Sequence, residues 1–405
     1  MNRQLKKIMN ERYGKFVLVG MILIGLYYFF TIQSGISNWY ATRNYQQSDM
    51  FRQEYEAYPD SYTEFWEDDQ PVYYKSIEDY IKGTSYLFNK ANQPDSLTTR
   101  GDKAIDKATT YTNVFMSEGT GIFLVAFFLL GFLLFFVDLK THFNTFLFSL
   151  GTTRNAIFKE KFKTVALPLF TVLILCKLAF ITSLYLFIPH EFINAHLSTL
   201  LLSMINGLLC IFFYFSCGVF IGILTGNLIF GPVIAGAFLI STTLLSSVMM
   251  NVLFFIENRL NRNLNSTYED YGFQIDIGKV NVHPSLCITI FIISALLLFI
   301  SWRVFNQLSL EKSSQNILLD SYRLPITLLI IVYSCTIVWA TRFMYALMDY
   351  PEQHADVPYF ISRSLVSGGI ISLITVGTIY FVPLKNRVRK LLEKRRQFKE
   401  FKVEE

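Results

Sequence analysis

Residues 121–138, GIFLVAFFLLGFLLFFVD, and 164–187, TVALPLFTVLILCKLAFITSLYLF, are apolar runs held apart by a polar, basic segment, 139–163, LKTHFNTFLFSLGTTRNAIFKEKFK. Each run approaches or exceeds the roughly 20 apolar residues that carry a helix across a bilayer. Between them Phe143, Phe146, Leu147 and Leu150 recur at three- and four-residue steps, which gives a helix one apolar face. Gly151 breaks that pattern. Thr152 or Thr153 can then cap a second helix, along which Arg154, Lys159, Lys161 and Lys163 lead into the next run. The stretch reads as two membrane-crossing helices joined by a helix-turn-helix elbow.

The same character extends outward along the chain. Of its 405 residues, 52% are hydrophobic, 16% aromatic and 17% charged, against about 25% charged in an ordinary soluble domain. Further apolar runs lie at about 16–36, 197–224, 228–256, 286–303, 325–346 and 363–384. The sequence therefore predicts an all-α polytopic membrane protein of about eight transmembrane helices. Its divisions are a cytoplasmic amphipathic helix (1–15), a first transmembrane helix (16–37), a small, mostly helical extracellular domain (38–120), a transmembrane domain (121–384) containing the elbow, and a basic tail (385–405).

Orientation follows from Lys and Arg. They cluster before the first span, in the elbow and after Pro383, and with eight spans all three clusters share one side, which the positive-inside rule makes the cytoplasm. Both termini are then cytoplasmic. The formal net charge of +5 is mostly membrane-flanking cation facing anionic lipid, not a nucleic-acid signal. All five cysteines, Cys176, Cys210, Cys217, Cys287 and Cys335, fall in or beside predicted spans. They imply no disulfide framework and no metal site, which suits a bacterial plasma membrane.

Smaller features add expectations. Leu5, Ile8, Met9 and Tyr13 share one side of residues 1–15, as in a helix lying in the inner membrane interface, the alternative being a disordered leader. In the outer region Val72, Ile77, Tyr80, Ile81 and Leu87 recur in helix-like steps, and Ser96 can cap a further helix through Lys107. Its aromatic residues, Phe65, Trp66, Tyr73, Tyr74, Tyr86 and Phe88, either line a site for an amphipathic ligand or build the domain's own core. Glu67, Asp68 and Asp69 are either a metal-holding or basic carboxylate group or a solvated acidic face. Gly222 to Gly231 is a glycine-spaced turn or a close-packing site. Leu308, Leu310, Ile317 and Leu318 in the linker 303–323 offer a second docking surface.

One residue stands out within the membrane. Lys177 falls near the middle of the third span, where a lysine costs at least about 2.5 kcal/mol on insertion scales. Either it faces a polar path through the bundle, with Asn206 and Asn251 as companions, or the span is displaced and it snorkels to an interface. No carboxylate is read at membrane depth to pair with it.

The sequence has no GxxxxGK[ST] phosphate loop, HExxH, GxSxG or CxxC, so it signals neither nucleotide hydrolysis nor a recognised catalytic constellation.

At the elbow, the run Phe148-Ser149-Leu150-Gly151-Thr152-Thr153-Arg154-Asn155-Ala156-Ile157-Phe158, followed by Lys161, resembles the coupling segment of type-2 ATP-binding-cassette (ABC) export permeases, of the Gram-positive kind with an outer domain between spans one and two. That segment usually reads Leu-Pro-x-Ser/Thr-Arg, an aliphatic-aromatic pair, then Lys. Gly151 stands here in place of proline, and eight spans stand in place of the common six. The resemblance implies that Phe148, Leu150, Gly151, Thr152, Thr153 and Arg154 form the face toward a separate ATPase subunit, which alone holds ATP and magnesium, while Ile157, Phe158 and Lys161 lead back into the membrane. It also implies pairing as a homodimer or with a second related permease, and movement of an amphipathic peptide or lipid-like cargo. Two other classes stay open: a membrane enzyme acting on lipid-linked substrates through Glu67, Asp68 and Asp69, and a membrane sensor or immunity protein without transport.

Overall fold

The computed structural model describes residues 2–67, 70–74, 76–90, 111–116, 118, 119, 121–242, 276, 277, 284–308, 316–348, 361–381 and 385. Among these, six helices are long and apolar enough to cross a membrane, and two shorter apolar helices, Phe230–Thr242 and Arg323–Trp339, accompany them. These are the traits of a helical membrane protein. By contacts the chain divides into two compact units, the first of residues 1–127, 152–215 and 265–296 and the second of residues 128–151, 216–264 and 297–405.

The first unit is built on α1 (Asn2–Gln46), an unbroken helix of 45 residues, about 67 Å long at 1.5 Å per residue. Leu5, Met9, Val17, Ile24, Tyr28 and Trp39 are buried along one stripe. The open face changes character abruptly. It is polar through Lys15, then apolar through Phe16, Leu18, Val19, Ile22, Leu23, Leu26, Phe29 and Phe30, all exposed. The apolar part of that face is of the kind a lipid surface accommodates. Leu5 and Met9 bury themselves against the chain, in a helix that packs on the 154–166 segment. Of the expected amphipathic stripe, Leu5 and Met9 are thus buried within the chain, while Ile8 and Tyr13 are half-buried.

After α1 come α2 (Asp49–Ala57), capped by Ser48, the antiparallel pair β1 (Thr63–Glu67) and β2 (Gln70–Tyr73), α3 (Ile77–Ser85), capped by Ser76, and a second pair, β3 (Phe88–Lys90) with β4 (Tyr111–Asn113). To the helices expected here the structure adds two short strand pairs. Phe65, Trp66, Val72 and Tyr73 are residue types that favour strands, and the helix-like steps mixed a β2 residue with α3. The helix expected after Ser96 lies outside the described residues. Trp39 Nε1 donates to Ser85 O (2.9 Å), and Leu87 N–H donates to Phe192 O (2.9 Å), so α1 and the 188–196 loop both anchor the end of α3.

The next elements are α4 (Gly121–Lys140), α5 (Phe143–Ser149), α6 (Arg154–Lys161), a π turn (Phe162–Ala166), α7 (Leu167–Phe187) and α8 (Leu197–Leu224). Arg154 to Phe187 is one continuous helical run. Within it Leu167 N–H reaches back five residues to Phe162 O. Pro168, which offers no N–H and crowds the preceding turn, accounts for the widened ladder.

The second unit holds α9 (Phe230–Thr242), α11 (Arg323–Met348), α12 (Ile361–Phe381) and the last part of α10 (Pro284–Gln307). Gly218 and Gly222 of α8 lie directly against the backbone of α4 at Phe128 and Phe132. Gly222 is therefore a packing glycine. Leu318 N–H donates to Leu224 O (3.0 Å) and Thr225 bridges Ile317, clasping the 316–318 segment to the end of α8. Leu308, Ile317 and Leu318 are buried there, which overturns their expected role as a docking surface; Leu310 lies outside the described residues.

Candidate functional site: an elbow and a buried ion pair

The elbow forms as two short helices about Gly151. In the second unit Leu147 is buried, the Phe148 ring meets Phe305 edge-on at 6.1 Å, and Phe143 stacks on Phe146. Phe146 and Leu150, one helical turn apart, remain 48% and 39% exposed. Gly151 turns the chain at φ +65°, a conformation that costs other residues about 1–2 kcal/mol. In the first unit Thr153, not Thr152, caps α6 by accepting from Ala156 N–H at 3.3 Å. Ile157, Phe158 and Lys161 are buried, while Thr153 is exposed and Thr152 and Arg154 half-buried. On the α5 side Phe146 and Leu150 are thus open to solvent, and on the α6 side Thr153, Lys159 and Lys163 are.

Lys177 lies at the centre of α7 and is wholly buried. The expectation that it lacks a carboxylate is overturned. Its Nζ stands 3.2 and 3.1 Å from the two carboxylate oxygens of Glu118, which is 1% exposed. Glu118 precedes α4 by three residues, and Met116 and Gly119 on either side of it lie against α1. Met116 packs over Gly35, Tyr27 donates its hydroxyl to the Glu118 carbonyl, and Gly119 takes φ +52° against that Tyr27 hydroxyl oxygen. A further donor is the Ile277 N–H, 2.8 Å from Glu118 Oε2. Burial pushes the Glu118 carboxyl above its ordinary range, and Lys177 and the Ile277 N–H pull it back.

In the same unit Asn206 accepts from the Cys287 thiol at 3.8 Å, and Cys210 lies within electrostatic reach of both Lys177 and Cys287. Lys177 and Asn206 are both buried in the first unit, whereas Asn251 lies outside the described residues. Glu67 ends β1 opposite Gln70; Asp68 and Asp69 also lie outside. Among the described residues no three His, Cys, Asp or Glu side chains gather into a metal-holding group. The signal that could have found Glu118 is the lone carboxylate in MSEGTGIF, immediately ahead of an uninterrupted apolar run.

This architecture defines a helical membrane protein with a helix-turn-helix elbow and a buried ion pair. Compared with protein-family models, with curated proteins and with solved structures, the chain matches none.

Proposed function

We propose that the chain is the membrane subunit of an ABC exporter of the bacterial plasma membrane, with eight spans, both termini and the elbow in the cytoplasm, and the 38–120 region outside. ATP is hydrolysed by a separate subunit, and two permeases, identical or related, enclose the path of an amphipathic peptide or lipid-like cargo. A permease with no nucleotide site receives work through a firm element seated in its partner. The observation that carries this reading is the elbow, which exposes Phe146 and Leu150 on a turn fixed by Gly151 and capped by Thr153. An apolar helical face of this kind seats in a groove, and movement of α6 passes along the continuous run to α7.

The test is co-purification from native membranes of wild type against Phe146→Ser/Leu150→Asp, whose side chains already face solvent. Recovery of an ATPase subunit with the wild type, and its loss with a normally folded variant, supports the reading. Absence of any ATPase after mild crosslinking refutes it.

A further inference from the structure

Within the first unit α1 and α7 run side by side in the same direction and in fixed register. Leu169 packs directly on Gly20, the Tyr28 and Phe180 rings meet at 6.5 Å, and the Tyr40 hydroxyl donates to Phe187 O at 2.7 Å. Along each helix the exposed residues pass from cationic to apolar. On α1 Lys15 is followed by Phe16, Leu18, Val19, Ile22 and Leu23. On the run through α6 and α7, Lys159 and Lys163 are followed by Leu167, Ile174 and Leu175, and steps of four residues stack Lys159, Lys163 and Leu167 on one face. Counted from the Gly20–Leu169 contact, Lys15 lies five residues back and Lys163 six, about 7.5 and 9 Å along the axes at 1.5 Å per residue. The two lysines therefore stand at one level, each at the edge of an apolar face. Of the acids on these segments, Glu11 pairs with Lys7 at 4.0 Å and Glu160 is half-buried.

We propose that Lys15, Lys159 and Lys163 hold anionic phospholipid against this end of the first unit: the lipid phosphates meet the ammonium groups, and the acyl chains lie along the apolar residues that follow on each helix. An acidic soluble protein would meet the charges but leave Phe16, Leu18 and Leu167 uncovered, whereas an anionic lipid satisfies both the cations and the apolar faces beside them. The proposal does not rest on the exporter reading and holds whichever side of the membrane this end faces.

The full chain in nanodiscs of equal phosphatidylglycerol and phosphatidylcholine is released in a mass spectrometer, and the lipids that stay bound are counted. The wild type is expected to retain phosphatidylglycerol at least about fivefold over phosphatidylcholine. Lys15→Gln/Lys159→Gln/Lys163→Gln, at exposed positions, brings that ratio near one with an unchanged thermal midpoint. Arg3→Gln/Lys6→Gln/Lys7→Gln removes as many exposed cations, about 12–18 Å further along α1 from the apolar face than Lys15, and keeps the wild-type ratio. No preference in the wild type overturns the proposal, and so does an equal loss in both triple variants, which would make the effect one of net charge. Excess glycerol 3-phosphate, which carries the phosphate without chains, leaves the bound lipid in place; displacement would assign the lysines to soluble phosphate and overturn the lipid. Should the first triple variant not fold, Lys163→Gln alone decides: a fall of about twofold or more in the ratio supports the site, and an unchanged ratio overturns it.

Discussion

Lys177 Nζ and the Glu118 carboxylate meet at 3.1 Å across 59 residues of sequence, with both side chains essentially out of solvent. Removing one partner leaves the other charge buried and uncompensated, at a cost of about 3–5 kcal/mol. Lys177→Met and Glu118→Gln are therefore each expected to lower stability by about that amount, and the double variant by clearly less than their sum. Chemical unfolding of the four proteins in one detergent checks this. Additive losses would show that the two charges do not interact.

Tyr27 and Tyr28 are neighbours in sequence but differ in what their hydroxyls do. Tyr27 donates to the Glu118 carbonyl, whereas the buried Tyr28 hydroxyl lies beside the Glu118 carboxylate. Tyr27→Phe is expected to cost about 1 kcal/mol, since it removes the hydrogen bond to that carbonyl. Thermal midpoints of wild type and variant under identical conditions check this. An unchanged midpoint would contradict the bond.

Much of this arrangement was legible in the sequence, because hydrophobic length is a local property. Six apolar runs appear as helices of spanning length, and the runs at 228–256 and 325–346 contribute the apolar helices at 230–242 and 323–339. Gly151 and Thr153 were readable because turns and caps depend on a few adjacent residues. The Glu118–Lys177 pairing was not: the carboxylate is visible ahead of α4, but nothing near it in sequence says that it meets α7. The Leu5 and Met9 stripe was readable as a face to be buried, but amphipathicity does not specify whether lipid or protein covers it. Ile317 and Leu318 failed for the same reason, their cover being the end of α8.

Glu54, exposed on α2, accepts hydrogen bonds from the Tyr45 and Tyr62 hydroxyls, which hold its carboxyl below the usual range. Burial, with the Glu54 bond adding to it, pushes the Tyr62 phenol up to about 12. A lowered folded-state carboxyl contributes stability that is complete above its unfolded value, about 4.3, and is lost as pH falls through the lowered one. Acid titration followed by tyrosine emission is expected to show this step below about pH 4 in the wild type. Glu54→Gln removes it, and persistence of the step in that variant would assign it to another group.

At the elbow, Thr153→Ala removes the α6 cap and is expected to cost about 1 kcal/mol, and Gly151→Ala forces a side chain into positive φ at about 1–2 kcal/mol. Phe146→Ser and Leu150→Asp, at exposed positions, should leave stability within about 0.5 kcal/mol of wild type. Thermal unfolding of the four variants separates the residues that shape the elbow from those it presents. A large loss from Phe146→Ser would mean that its ring supports the fold.

Gly218 and Gly222 lie one helical turn apart on the face of α8 that meets α4, and a Cβ on either would collide with backbone at Phe128 or Phe132, which cannot give way as a side-chain end can. In a membrane, where helices gain little from burying apolar surface, such close backbone approach supplies much of the packing energy. Gly218→Ala must push the helices apart and is expected to cost about 1–3 kcal/mol, as overpacking does. Gly236, on α9, meets nothing within 4 Å, so Gly236→Ala is expected to be neutral or to gain up to about 1 kcal/mol from helix propensity alone. Unfolding of both variants in one detergent decides the point. Equal effects would mean that α8 and α4 do not approach through their glycines.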